Sequence, residues 1–143
     1  MSLSEYERVL KSVADPTRVR ILKLLEGGEL CVCQVIAVLE LKQSTISKHL
    51  FLLKMVGLVR ERREGKWVYY GLDGSRGTPY AGKMLKVLKG WLDDDPVILR
   101  DRKRESIARE LGPIVICEGG MALPKNRLGK ECPAPPVNTV VSK

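Results

Sequence analysis

The sequence predicts a mainly α-helical fold with one small β-hairpin, its two central helices joined as a helix-turn-helix. Three observations predict it. Apolar residues recur at three- and four-residue spacing in several short segments. Two of these segments, 32–39 and 44–56, are separated by only a few residues. Beyond them, Val68, Tyr70 and Leu72 alternate with Trp67 and Tyr69 after a Glu64-Gly65 turn, the pattern of a two-stranded hairpin.

Each element has a local cause. Ser4 to Val13 reads as a short helix, capped by Ser4, with Tyr6, Val9, Leu10 and Val13 on one face. Asp15-Pro16 opens a second helix, carboxylate at the N-cap and proline at N1, where its missing N–H costs nothing. Val19, Leu22 and Leu25 form its buried stripe, and Gly27-Gly28 ends it. Cys31 takes the N-cap slot of a third helix over Val32 to Leu39, with Gln34 placed as in a capping box. Ser44 to Val56 forms the fourth, Ile46, Leu50 and Leu53 facing in. The hairpin strands run Leu58 to Arg63 and Lys66 to Leu72. Pro79 to Leu92 is helical through Met84, Leu85, Leu88 and Trp91, a stripe broad enough to bury against a second subunit. These elements give a domain over residues 1–95. Residues 96–143 form an extension, with a polar helix over Val97 to Leu111 and then a mobile tail, since seven of the 27 residues from Cys117 to Lys143 are Gly or Pro.

Composition narrows the function. The chain has 143 residues, 25 Lys+Arg against 17 Asp+Glu, and a net charge of +8, which favours an anionic partner such as nucleic acid. No run approaches the roughly 18 uncharged apolar residues of a membrane span, and Met1 to Glu7 lacks the features of a signal peptide, so a cytoplasmic protein is expected. Four cysteines in that setting point to metal or redox chemistry. A glycine-rich phosphate loop and a Ser/His/Asp set are both missing, and there is one His, so an enzyme is not expected.

Between Lys42 and Leu72 stand seven basic and two acidic residues. The second helix of a helix-turn-helix puts its N-terminal end into the major groove, where short polar side chains reach base edges. Gln43, Ser44, Thr45, Ser47 and Lys48 occupy that end, and His49 either faces DNA or packs between helices. Arg62, Arg63 and Lys66 at the hairpin tip are placed for phosphates or the flanking minor groove.

The runs Ala14-Asp15-Pro16-Thr17-Arg18, Glu29-Leu30-Cys31-Val32-Cys33, Gln43-Ser44-Thr45-Ile46-Ser47-Lys48-His49-Leu50 and Gly65-Lys66-Trp67-Val68-Tyr69-Tyr70 resemble the ArsR/SmtB family of metal-responsive winged-helix repressors, over about residues 5–92. Glu-Leu-Cys-Val-Cys is similar to the arsenic-sensing branch. The resemblance implies a homodimer built from the N-terminal helix and helix 79–92, bound to double-stranded operator DNA and released when trivalent arsenic or antimony binds cysteine thiolates.

Trivalent arsenic is thiophilic, and a helix N-terminus stabilises the thiolates it needs. Cys31 and Cys33 are therefore the expected ligands, exposed at a helix cap. Residues two apart on an intact helix diverge, so unwinding of the first turn is expected on binding. In the family the motif continues Asp, apolar, Cys; here Gln34, Val35 and Ile36 stand instead. Cys117, or alternatively Cys132, is expected to supply a third thiolate. A thiol-redox-sensing repressor and a small thiol oxidoreductase are the competing readings, the latter weakened by one intervening residue where thioredoxin-type chemistry uses two.

Overall fold

The computed structural model describes residues 2–75 and 78–124. Helix α1 (Leu3–Ser12) is followed by α2 (Pro16–Leu25), a two-residue strand β1 (Leu30–Cys31), α3 (Val32–Leu39), α4 (Gln43–Met55), the hairpin β2 (Val59–Glu64) and β3 (Trp67–Leu72), then α5 (Pro79–Leu88), α6 (Pro96–Leu111) and α7 (Pro113–Glu118). The mainly helical class and the helix-turn-helix with its hairpin stand as expected.

Several boundaries move for local reasons. Ser2, not Ser4, caps α1: its hydroxyl accepts from the Glu5 N–H while the Glu5 carboxylate accepts from the Ser2 N–H. Asp15 caps α2 as expected, accepting from Thr17 and Arg18 N–H. The hairpin turn is Gly65-Lys66, one residue later than expected, because Gly65 takes the left-handed φ of 61° that only glycine adopts without strain. Helix α5 stops at Leu88 instead of continuing to Leu92, since Lys89 is extended and Gly90 turns the chain at φ 87°.

The sheet has a third strand that the sequence pattern does not announce. β1 pairs antiparallel with β3, Leu30 opposite Tyr70 and Cys31 opposite Tyr69, giving the order β1-β3-β2. Two residues are too few to carry a period, so alternation cannot reveal such a strand. Its effect is to fix the Cys31 backbone against the hairpin.

The core is built from Ile21, Leu22 and Leu25 of α2, Val35, Val38 and Leu39 of α3, Ile46, Leu50 and Leu53 of α4, and Leu30, Leu58 and Val59 around the sheet, all nearly inaccessible to solvent. Burial of such side chains contributes about 1.5–3 kcal/mol each.

Helix α6, expected as a polar helix, turns its charges inward. Arg20 of α2 and Asp101 form a buried bidentate pair at 2.7 and 2.9 Å. Arg104 donates to the carbonyls of Val38 and Ala37, both at 2.7 Å, supplying the partners that the end of α3 leaves open. Gln34 Nε2 donates to the Ala108 carbonyl at 3.0 Å. Glu40, which closes α3 in the left-handed region at φ 58°, is held by Arg100 at 2.7 Å. The tail expected to be mobile from Cys117 is corrected at its start: Cys117 lies within α7 and Leu123 beyond it is buried against the core.

Candidate DNA-reading face and thiol pocket

The N-terminal half of α4 presents Gln43, Ser44, Ser47 and Lys48 to solvent, with Thr45 half-buried. His49 turns partly inward: its Nδ1 lies 3.5 Å from the Arg18 guanidinium, whose Nε is anchored on the Ser12 carbonyl. Burial holds the His49 imidazole below its ordinary pKa, favouring the neutral form.

The hairpin cations differ in availability. Arg62 is tied down, donating to Glu29 at 3.0 Å and Glu64 at 2.8 Å, with its guanidinium 4.5 Å from the centre of the Tyr69 ring. Arg63 is exposed and reaches Glu61 only at 3.5 Å. The Lys66 ammonium sits 5.1 Å from the centre of the Trp67 ring. Glu61 in turn accepts from the Tyr70 hydroxyl at 2.7 Å.

Cys31 and Cys33 are buried, 3% and 2% exposed, not solvent-facing as the helix-cap position suggests. Their sulfurs are 3.3 Å apart with α3 intact, so the expectation that unwinding is needed to bring them together is corrected. The reason lies in the backbone: Cys31 is the N-cap, at φ −69° and ψ 148°, and an extended residue does not follow the helical rotation that separates positions two apart. Gln34 fixes this start, its side-chain oxygen accepting from the Cys31 N–H at 2.9 Å.

The two thiols share a proton unequally. Cys33 donates to Cys31, and backbone N–H groups of Cys33, Val68 and Val32 add to the stabilisation of the Cys31 thiolate, lowering its pKa to about 6. Cys33, burdened by its bond to Cys31 and by burial, keeps its proton well above the usual thiol range.

Cys117 lies one turn into α7, and Cys33 donates weakly to the Pro113 carbonyl at the start of that helix, at 3.5 Å. All three cysteines line one cavity of about 400 Å3. Among the described residues no three His, Cys, Asp or Glu side chains have closed to a finished metal site; the arrangement is a ready pair with a third sulfur nearby. Cys132 lies outside the described residues. The same cavity is lined by Gln43 and Ser47 of α4, by Arg63 and Lys66 of the hairpin, and by Trp67, Val68 and Met121. No motif or spacing hints that the thiols and the expected DNA-facing residues share a cavity.

Residues 15–61 match the family described as bacterial regulatory protein, arsR family. The chain is 49% identical over 98 residues to the arsenic resistance transcriptional regulator ArsR1 of Pseudomonas putida, covering 65% of this chain and 76% of that one. It is 48% identical over 67 residues to the arsenical resistance operon repressor of Escherichia coli, covering 46% of this chain and 57% of that one. Among solved structures, the homodimeric winged helix-turn-helix DNA-binding domain of a possible ArsR-family regulator from Mycobacterium bovis is similar at TM-score 0.53 and 30% identity, over 66% of this chain and 83% of that one. No described helix is long and apolar enough to cross a membrane. With the helix-turn-helix, the hairpin and these likenesses together, the chain belongs to the ArsR family of winged-helix transcriptional regulators.

Proposed function

We propose that this protein is a homodimeric repressor that binds operator DNA and releases it when trivalent arsenic or antimony is held by Cys31, Cys33 and Cys117. The observation that carries the reading is the 3.3 Å separation of the Cys31 and Cys33 sulfurs in a cavity that Cys117 also lines. With metal–thiolate bonds of about 2.3 Å, two sulfurs at that distance fit one centre with an angle of about 90° between its bonds. Soft sulfur donors suit a thiophilic ion, and the Cys31 thiolate is a ready electron-pair donor near neutral pH. A bound ion would tie α3 to α7 through Cys117, adding to their packing and to the weak Cys33–Pro113 hydrogen bond.

Gln43, Ser44, Thr45, Ser47 and Lys48 read the major groove from α4, with His49 at its inner edge, and Arg62, Arg63 and Lys66 meet the backbone beside it. Because Gln43, Ser47, Arg63 and Lys66 also line the thiol cavity, drawing α7 towards α3 changes the gap between α4 and the hairpin and so the fit to DNA. Residues 1–95 carry DNA binding and dimerisation, and residues 96–143 carry the third ligand. Dimerisation uses α1, α5 and the turn that follows it, where Leu3, Val87 and Trp91 are exposed. The relatives in arsenic resistance support the choice of inducer, and the protein works in the cytoplasm.

Fluorescence anisotropy of the reduced protein on DNA upstream of its own gene tests the reading. Arsenite should release the DNA, zinc should not, and Cys33→Ser should bind DNA yet ignore arsenite. The same sulfur pair also favours a second reading, reversible oxidation of Cys31 and Cys33 to a disulfide. Release by peroxide without any response to arsenite would select it.

A further inference from the structure

Helix α4 buries one face and leaves the other to solvent. Ile46, Leu50 and Leu53 fill the buried face, so the core asks for no further apolar side chain from this helix. Yet the one phenylalanine of the chain stands on the opposite side. Phe51 is 59% exposed, and Met55, one turn on, is 65% exposed. Residues seven apart on a helix fall within about 20° of one line. Ser44 and Phe51 therefore share a line, as do Lys48 and Met55, and with Ser47 these residues form the centre of the exposed face. The apolar pair continues the row of side chains that Ser44, Ser47 and Lys48 begin.

The charge of that face selects its occupant. α4 carries Lys48 and Lys54 and no acidic residue, which suits a polyanion. At 1.5 Å per residue, Phe51 lies about 10 Å along the axis from Ser44, and Met55 about 16 Å. The major groove is about 12 Å wide, so with Ser44 at base edges Phe51 is still over the groove, whereas Met55 passes its rim. Among the donors and acceptors of the groove floor stands one apolar group, the C5-methyl of thymine.

We infer that Phe51 packs against the methyl group of one thymine in each half-site, making α4 specific for a T·A pair at a position that its polar residues do not read. The inference rests on the operator reading above and adds to it one residue and one base. The contact gains in proportion to the apolar area that ring and methyl remove from water. A base with hydrogen at C5 forfeits it.

Uracil is thymine without that methyl group and pairs with adenine in the same way, so it isolates the contact. Fluorescence anisotropy of the full chain on the DNA upstream of its gene, with each thymine replaced in turn by deoxyuridine, locates the position. One replacement in each half-site should weaken wild-type binding about fourfold, the worth of one buried methyl group, and should leave Phe51→Ala unaffected. At that position 5-methylcytosine should bind more tightly than cytosine, again with the wild type and not with Phe51→Ala. Met55→Ala should keep the full methyl effect. Phe51→Leu, which retains an apolar side chain, should show a reduced one, and it holds the test open if Phe51→Ala binds DNA too weakly to score. A methyl effect of equal size in the wild type and both Phe51 variants, or none at any thymine while the operator is bound, would overturn the inference and leave the repressor reading standing. So would unchanged methyl effects with a smaller assembly of Phe51→Ala in sedimentation velocity, which would assign the ridge to a second copy. Failure of the wild type to bind this DNA at low salt would overturn both.

Discussion

The sulfur of Cys33 donates to the sulfur of Cys31 across 3.3 Å, at a point where the chain passes from strand β1 into helix α3. Neither element alone would bring the two together. The strand holds Cys31 opposite Tyr69, the first turn of α3 carries Cys33 round, and Gln34 locks the junction. The sulfur pair of the proposed sensor is therefore in place in the unliganded fold, which would lower the reorganisation cost of binding.

This arrangement predicts the pH behaviour of the thiols. Cys31 is lowered from an ordinary 9.0 to about 6, and Cys33 is raised. Ultraviolet thiolate absorbance should show one thiolate appearing with a midpoint near pH 6, absent in Cys31→Ser. Between about pH 6 and 9 the folded state holds fewer protons than the unfolded chain, so the Cys31 contribution to stability grows as pH rises and is lost as pH falls through 6. Above 9 the unfolded Cys33 ionises while the folded one does not, and the slope reverses. A denaturation midpoint with no greater rise from pH 6 to 9 than in Cys31→Ser would show that the proton is not shared in this way.

The helices and hairpin were legible because their causes are local: Asp15-Pro16 caps, Ile46, Leu50 and Leu53 repeat, and Val68, Tyr70 and Leu72 alternate. The thiols were legible as a motif but not as a geometry. Their separation depends on the extended φ and ψ of Cys31, which the pairing of β1 with β3 enforces at long range. The inward face of α6 was illegible for a related reason. Arg104 reads as solvent-facing until the open carbonyls of Ala37 and Val38 are set beside it. Trp67 was assigned to a strand, and only the approach of α7 makes it a wall of the cavity.

Asp101 gives a direct measure of how firmly α6 is fixed to α2. Its carboxylate is the bidentate partner of Arg20, and both side chains are 3% exposed. Asp101→Ala leaves a buried guanidinium without its countercharge and should cost about 3–5 kcal/mol. Urea denaturation at fixed protein concentration reads this; a loss below about 1 kcal/mol would mean that water reaches Arg20.

On DNA, Arg63 should matter more than Arg62, although the two are adjacent. Arg62 spends its guanidinium on Glu29, Glu64 and the Tyr69 ring, whereas Arg63 has one long contact to Glu61. Arg63→Ala should weaken operator binding and reduce the slope of log affinity against log salt by about 0.9 for each phosphate that is no longer neutralised. Arg62→Ala should change the slope less and instead loosen the hairpin against Glu29. Equal slopes for the two variants would count against a phosphate role for Arg63.

The exposed apolar residues beside α1 and α5 make the last prediction. Tyr6 and Tyr80 lock the two helices together, their rings edge to face at 5.5 Å, and around them Leu3 is 83% and Trp91 61% exposed. Leu3 on α1 and Trp91 just beyond the end of α5 are large apolar side chains left in water, a cost that a second copy covering this side of the fold relieves. Trp91→Asp should shift the protein to monomer in sedimentation velocity, and Trp91 emission should move to longer wavelength as the wild type is diluted. The monomeric variant should bind a full operator much more weakly, because each subunit then engages its half-site alone. A dimer that survives Trp91→Asp would place the subunit contact on another face.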